Sequence, residues 1–226
     1  MSLTTGRGPL SADPAGRFSV PMPENVIYIE PFRRRVRATR GGRTVIDSER
    51  ALLVHRPDRW PTYAFPSGDV GGVPTEPEGE APGYVSVEWD AVDMWFEEDE
   101  QVFGHPRNPY HRVDCLRSRR RLQVEAGGVR LVDSEEAIAV YETALEPRLY
   151  VDRRFVRMDL LVQSTTHTYC PYKGRATYWS AHIGQVDLND IAWSYEEPLL
   201  EVAALTHLLS FDETRVTVIH NLPPAE

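Results

Sequence analysis

Apolar and polar positions alternate with a period of two along most of this chain, as in Arg215-Val216-Thr217-Val218-Ile219, and the 3.6-residue period of an amphipathic helix is sparse. Short alternating runs bounded by Gly, Pro, Asp and Ser turns predict an all-β fold, with a first ordered strand at Val26-Ile27-Tyr28-Ile29. Helical spacing is clear only from Glu197 to Leu208, where Pro198 stands near the start. Its counterpart, Glu97 to Gly104, leads into Pro106 and Pro109 and predicts little or no helix.

The strand pattern repeats. Arg33-Arg34-Arg35-Val36 is answered by Arg119-Arg120-Arg121-Leu122, Gly41-Gly42 by Gly127-Gly128, and Asp47-Ser48-Glu49 by Asp133-Ser134-Glu135, all 86 residues apart. Gly-Gly between two short alternating runs is a hairpin signal, because glycine takes a positive φ without steric cost. The pattern predicts two tandem β units, at residues 26–117 and 118–222, packed as an intrachain pseudo-dimer behind a flexible N-terminal arm over residues 1–25. Looser matches follow, Tyr84-Val85-Ser86 with Tyr178-Trp179-Ser180 and Trp95 to Glu98 with Trp193 to Glu197.

Between these matches the copies diverge. The second has Arg157-Met158-Asp159-Leu160-Leu161 and then Cys170-Pro171-Tyr172-Lys173-Gly174, where the first has Val70-Gly71-Gly72-Val73-Pro74 and an acidic, proline-rich loop. A segment needed only for folding is expected in both copies, so the asymmetry points to a site in the second.

Composition narrows the partners. The 25 Lys+Arg against 34 Asp+Glu give a net charge of -9, the wrong sign for neutralising phosphates along a nucleic acid. Two cysteines are too few for a disulfide scaffold or a four-cysteine zinc site. No apolar run is long enough to span a bilayer, and Met1 to Val20 has Pro, Gly and Arg where a signal peptide needs an apolar stretch. A cytoplasmic protein with no nucleic-acid and no membrane partner is expected.

Taken together, the Gly-Gly turns, Val-x-Asp-Ser, Arg157-Met158-Asp159-Leu160-Leu161, Thr166-His167-Thr168-x-Cys170-Pro171-Tyr172-Lys173-Gly174-x-Ala176-x-Tyr178-Trp179 and Trp193-x-Tyr195-Glu196-x-Pro198 resemble a domain of unknown function, number 427. That family is also labelled nucleotidyltransferase-like and is grouped with the β-tent folds. The resemblance covers about 33 to 116 and 119 to 220, and it implies two β-tent units with one short helix, mainly in the second. Related β-tents hold zinc through two cysteine pairs, which this chain lacks. No metal and no cofactor are expected.

Pro171 and Gly174 predict a tight turn feeding a strand over Thr177 to Ile183, with Tyr178, Ser180 and His182 on one face and Trp179, Ala181 and Ile183 on the other. Arg157 and Asp159 share a face. One reading makes Cys170 a nucleophile, with Lys173 stabilising a thiolate or an anionic intermediate and His167 or His182 moving a proton. Cys170 also reads as a small buried apolar residue, as does Cys115. In a third reading Lys173, with Arg157 and Arg175, binds an anion beside Tyr172, Tyr178 or Trp179. A single glycine before no glycine-rich run excludes a Walker-type loop. Asp159, Glu196 and Glu197 are the nearest carboxylates for a transfer reaction, and His167-x-x-Cys170 has two-ligand spacing that chance also supplies.

The expected function is a small-molecule site for an anionic ligand in the second unit. Its catalytic candidates are Cys170, Lys173 and His167, and its ligand-binding candidates Arg157, Asp159, Tyr172, Tyr178, Trp179, His182 and Glu196. The competing expectation is a structural or protein-interaction module in which the turn locks the sheet.

Overall fold

The computed structural model describes residues 3–21 and 26–222, which divide into two compact units, Met1–His111 and Arg112–Glu226. Among the described residues there are nineteen strands in five sheets.

The first unit has β1 (Tyr28–Pro31), β2 (Val36–Arg40), β3 (Arg43–Ser48), β4 (Leu52–His55), β5 (Thr62–Pro66), β6 (Glu76–Pro77), β7 (Tyr84–Ser86), β8 (Met94–Glu97) and β9 (Glu100–Val102). They form two sheets, β1-β4-β5-β7-β6 and β3-β2-β8-β9. Alternation puts Val36 and Ala38 of β2 inward with Leu53, Phe65 and Trp95, and these make the unit's core. The arm expected over residues 1–25 is described over residues 3–21. Thr4 is buried, its hydroxyl donates to the Arg59 carbonyl at 2.9 Å, and Asp58 N–H donates to the Thr4 carbonyl at 2.7 Å. The arm thus satisfies backbone groups of the 56–59 turn that would otherwise need water. The rest of the arm, residues 1–2 and 22–25, lies outside the described residues.

The second unit has β10 (Val113–Ser118), β11 (Leu122–Ala126), β12 (Val129–Ser134), β13 (Ala137–Glu142), β14 (Arg148–Tyr150), β15 (Leu161–Cys170), β16 (Gly174–Ile183), β17 (Val186–Tyr195), β18 (Leu209–Phe211) and β19 (Thr217–His220). Three sheets result, β10-β13-β14, β12-β11-β19 and β15-β16-β17-β18. Strand β10 pairs with β13 from Val113↔Glu142 to Ser118↔Ala137, which places residues 113–117 in the second unit and not at the end of the first. Ala139 and Leu149, on one face of the β10-β13-β14 sheet, join the main core with Leu122, Val124, Ala181 and Leu209. Its other face carries Val140 and Tyr150, which pack with Ala176, Tyr195, Val202 and Leu205.

The helix expected from Glu197 to Leu208 is a six-residue 3-10 segment, Leu200–Leu205, broken at Val202 (φ -123°, ψ 27°). Its only buried residues are Val202 and Leu205, three apart, and Leu200 is 91% exposed. A three-residue burial spacing suits the 3-10 period, and Pro198 supplies no N–H for a preceding α-turn.

The same local geometry recurs 86 residues apart in the two units. Tyr28↔His55 is matched by Asp114↔Tyr141, and the isolated bridge Ile46↔Val70 by Val132↔Val156. A 3-10 turn at Ser67–Asp69 is matched by one at Arg153–Phe155. Gly71 N–H donates to Val45 O and Arg157 N–H to Leu131 O, both at 2.9 Å. Beyond that point the looser matches fail in space. Phe65 pairs with Val85 of β7, whereas Val151 bridges Leu209 of β18, and Val36 pairs with Glu97 of β8, whereas Leu122 pairs with His220 of β19. Strands β7 and β8 therefore stand where β18 and β19 do, not where β16 and β17 do. The β15-β16 hairpin is extra to the second unit.

Candidate functional site

The extra hairpin turns at Cys170↔Gly174, with Pro171, Tyr172 and Lys173 as its three-residue loop. Gly174 has φ +98°, and a Cβ there would meet the Glu197 carbonyl oxygen at 3.4 Å, so the position needs glycine for two reasons. Lys173 N–H donates to Cys170 O at 3.2 Å, and Leu199 N–H donates to Lys173 O at 3.1 Å. The loop is thereby fastened to the segment that follows β17.

Lys173 is the only lysine in the chain, against 24 arginines. Its ammonium donates to Glu142 Oε2 at the end of β13, and both side chains are 10% exposed. The pair lies in the wall of a cavity of about 220 Å³ whose other walls include Tyr150, Tyr178, Trp193 and Tyr195. Trp193 Nε1–H donates to the Tyr150 hydroxyl at 3.0 Å, and the Arg148 guanidinium sits 5.2 Å from the Trp193 ring centre. Burial pushes the Tyr150 and Tyr195 hydroxyls up. Cys170 and Cys115 are both free and half-buried. Burial raises the Cys115 thiol, Lys173 lowers it, and burial wins.

The other expected residues do not converge here. His167 and Cys170 stand three apart on β15, on opposite faces, and His167 Nδ1–H donates to Ala176 O at 3.2 Å. His182 contacts Asp187 Oδ1 at 2.5 Å at the far end of β16, about 30 Å along the strand from Lys173 at about 3.3 Å per residue. Arg157 and Asp159 bind each other bidentately at 2.8 and 2.6 Å, both exposed. Tyr178 shares the Lys173 cavity, its hydroxyl 3.1 Å from Thr168 Oγ1. Tyr172 is half-buried in the loop.

Trp179 and Glu196 belong to a second network. Trp179 Nε1–H donates to Ser194 Oγ at 2.8 Å, and Ser194 donates to Glu196 Oε1 at 2.6 Å. Arg153 pairs with Glu196 and lies 4.9 Å from the Trp179 ring centre, and His207 Nδ1 meets Glu196 Oε2 at 2.7 Å. Burial opposes ionisation of Glu196, but Ser194, His207 and Arg153 outweigh it and hold the carboxyl below its ordinary range. Ser194 is fully buried and bonded to a carboxylate rather than to a histidine, so it is no activated nucleophile. Among the described residues no three His, Cys, Asp or Glu side chains are grouped to hold a metal.

A larger cavity, about 540 Å³, opens on the same face of the β10-β13-β14 sheet, on the other side of Tyr150. Arg117, Ile138 and Tyr150 form one cross-strand row there. Arg119 and Arg154 also line it, with the carboxylates Glu136 and Asp152 and the apolar side chains of Phe155, Ala204 and Leu208. Arg154 is paired with Glu136 at 2.7 Å. The side chains of Arg117 and Arg119 have no hydrogen-bond or ion-pair partner among the described residues.

Residues 114–221, from β10 to β19, match the model of a family described as a domain of unknown function, DUF427. The match supports the family expected from the motif, and it covers the second unit. It begins one residue into β10, in keeping with the strand pairing that assigns β10 to that unit. No curated protein matches the chain.

The residues missed from the sequence are Glu142, Tyr150, Trp193 and Tyr195 around Lys173, and Arg117 and Arg119 in the larger cavity. The Arg117-x-Arg119 spacing is a readable signal for a shared strand face. For Glu142 none exists, because its partner is 31 residues away in another sheet.

Proposed function

We propose that the DUF427 unit binds a small anionic molecule in the cavity lined by Arg117, Arg119 and Arg154, with Phe155, Leu208 and Tyr150 covering its apolar part. The carrying observation is that two guanidinium groups meet one cavity without a carboxylate partner, in a chain of net charge -9. Elsewhere in this unit Arg121, Arg130, Arg153 and Arg157 are each bound to a carboxylate. Arginine forks match carboxylate and phosphate oxygens bidentately, so an unpaired pair is ready for an oxyanion. The anionic end of the ligand moves from Lys173, which Glu142 neutralises, to the opposite side of Tyr150.

A second reading concerns the motif itself. The Cys170–Gly174 loop acts as a brace, because its backbone binds Leu199 and its lysine side chain binds Glu142 of another sheet. Brace and ligand site are compatible. We also infer that the two units descend from one duplicated β-tent unit, which the bridges and turns repeated 86 residues apart support.

The test is thermal unfolding of the intact protein with inorganic phosphate, pyrophosphate, acetate and citrate, in parallel with Arg117→Gln/Arg119→Gln. An anion at a hundredfold excess over its Kd adds about 2.7 kcal/mol of stability. The reading requires that at least one anion raise the parent's Tm and not the variant's. Equal shifts in both proteins, or none in the parent, reject it.

A further inference from the structure

We propose that Lys173 is a carbonyl-reactive amine, and that the cavity beside it takes a small aldehyde or ketone as an imine. The inference is independent of the anion site, since it uses neither Arg117 nor Arg119.

The chain places arginine at 24 of its 25 cationic positions and lysine at one, and that one is 10% exposed in an ion pair. An ion pair alone does not call for lysine. The first unit buries Glu78 against Arg56, at 2.6 Å, with the carboxylate side chain 3% exposed. Arginine holds its proton under all ordinary conditions and pairs bidentately, so it is the better residue for a buried charge. What lysine alone offers is an amine that can lose its proton and become a nucleophile.

Lys173 and Glu142 line a cavity of about 220 Å³ walled by Tyr150, Tyr178, Trp193 and Tyr195, which suit a flat apolar body. At about 30 Å³ for each water-sized atom, the space admits roughly seven non-hydrogen atoms. Arg148 and Glu146 at the rim carry opposite charges, so the cavity favours neither an anion nor a cation.

The reaction balances within the pair. The Lys173 ammonium passes one proton to Glu142 Oε2, and the freed nitrogen lone pair adds to the carbonyl carbon. The resulting carbinolamine loses its hydroxyl as water, taking the proton back from Glu142, and a carbon–nitrogen double bond forms. One aldehyde and one ammonium give one protonated imine and one water, with no oxidant or reductant.

A single lysine makes the test clean. The full-length protein is incubated with furfural, a flat aldehyde of about the size the cavity admits, and imines are trapped with cyanoborohydride. Peptide mapping separates Lys173 from the N-terminal amine. The proposal requires trapping at Lys173 at least about tenfold faster than on the amine of N-acetyl-lysine amide at the same pH, from positioning beside the carbonyl. It also requires that Glu142→Gln, folded by circular dichroism, lose most of that advantage. Trapping at Lys173 no faster than on the free amine overturns it, as does an undiminished rate in folded Glu142→Gln. Lys173→Arg serves as the blank, with adduct at the N-terminus only.

Discussion

Lys173 and Glu142 form an ion pair between the loop of the β15-β16 hairpin and the last residue of β13, with each side chain 10% exposed. The pair joins two sheets of the second unit that the Trp193–Tyr150 hydrogen bond and the Val151↔Leu209 bridge also connect. At that burial the attraction is weakly screened, but each charge has also lost most of its water.

Removing one partner should therefore cost more than removing both. Glu142→Ala leaves a buried ammonium uncompensated and is expected to destabilise the second unit by about 3–5 kcal/mol. The double change Lys173→Met/Glu142→Leu should recover most of that loss. Urea unfolding of the three proteins decides it, and a double variant no more stable than Glu142→Ala would refute the account.

Gly174 offers a sharper local test. An alanine there must hold φ near +98° and set its Cβ 3.4 Å from the Glu197 oxygen. Strain of this kind costs about 1–3 kcal/mol. By contrast, Gly128 has φ +78° with open space where a methyl group would stand, so Gly128→Ala should cost less than Gly174→Ala in the same urea assay.

The all-β character and the hairpins of the first half of each unit were legible, because they rest on local alternation and Gly-Gly or Asp-Ser turns. Gly41 and Gly42 have φ +57° and +73°, and Gly127 and Gly128 have +55° and +78°, as such turns demand. The later correspondences misled because aromatic strands look alike. Tyr84-Val85-Ser86 matches Tyr178-Trp179-Ser180 in letters but takes the place of β18 in hydrogen bonding. At the site, the hairpin at Cys170 to Gly174 was local and readable. The partner that neutralises Lys173 was not, since Glu142 carries no mark in its own neighbourhood. His182 was drawn in by strand alternation, which gives the face correctly but says nothing of distance along the strand.

The position of β10 predicts where the chain can be divided. A fragment beginning at Arg112 keeps all six residue pairs between β10 and β13, whereas one beginning at Arg119 loses them and exposes Val140 and Ile138. The first fragment should unfold in one cooperative step. The second should melt at least about 5 °C lower or fail to fold, since the loss of a paired strand exceeds about 1 kcal/mol. Equal melting temperatures would show that β10 contributes nothing to the second unit.

His105 predicts the acid sensitivity of the first unit. The ring is buried, stacks on Trp60 with centres 4.1 Å apart, and donates Nδ1–H to the Pro106 carbonyl at 2.7 Å. Burial lowers its pKa from 6.5 to about 4, more than the Pro106 carbonyl raises it. In the unfolded chain the ring protonates near its ordinary value, so between the two values the unfolded state holds a proton that the folded state refuses. Stability is therefore full above pH 6.5 and falls as the pH drops toward about 4, where the folded ring also protonates. The loss across that window is at most about 3.4 kcal/mol at 1.36 kcal/mol per pKa unit. His55, also depressed by burial against the pull of Glu30, acts in the same direction. His105→Phe keeps a ring on Trp60 and removes the titration, so its urea midpoint should fall less steeply over the same window, with the remaining slope owed in part to His55. A variant whose midpoint falls as steeply as the parent's would show that His105 does not set the acid limit.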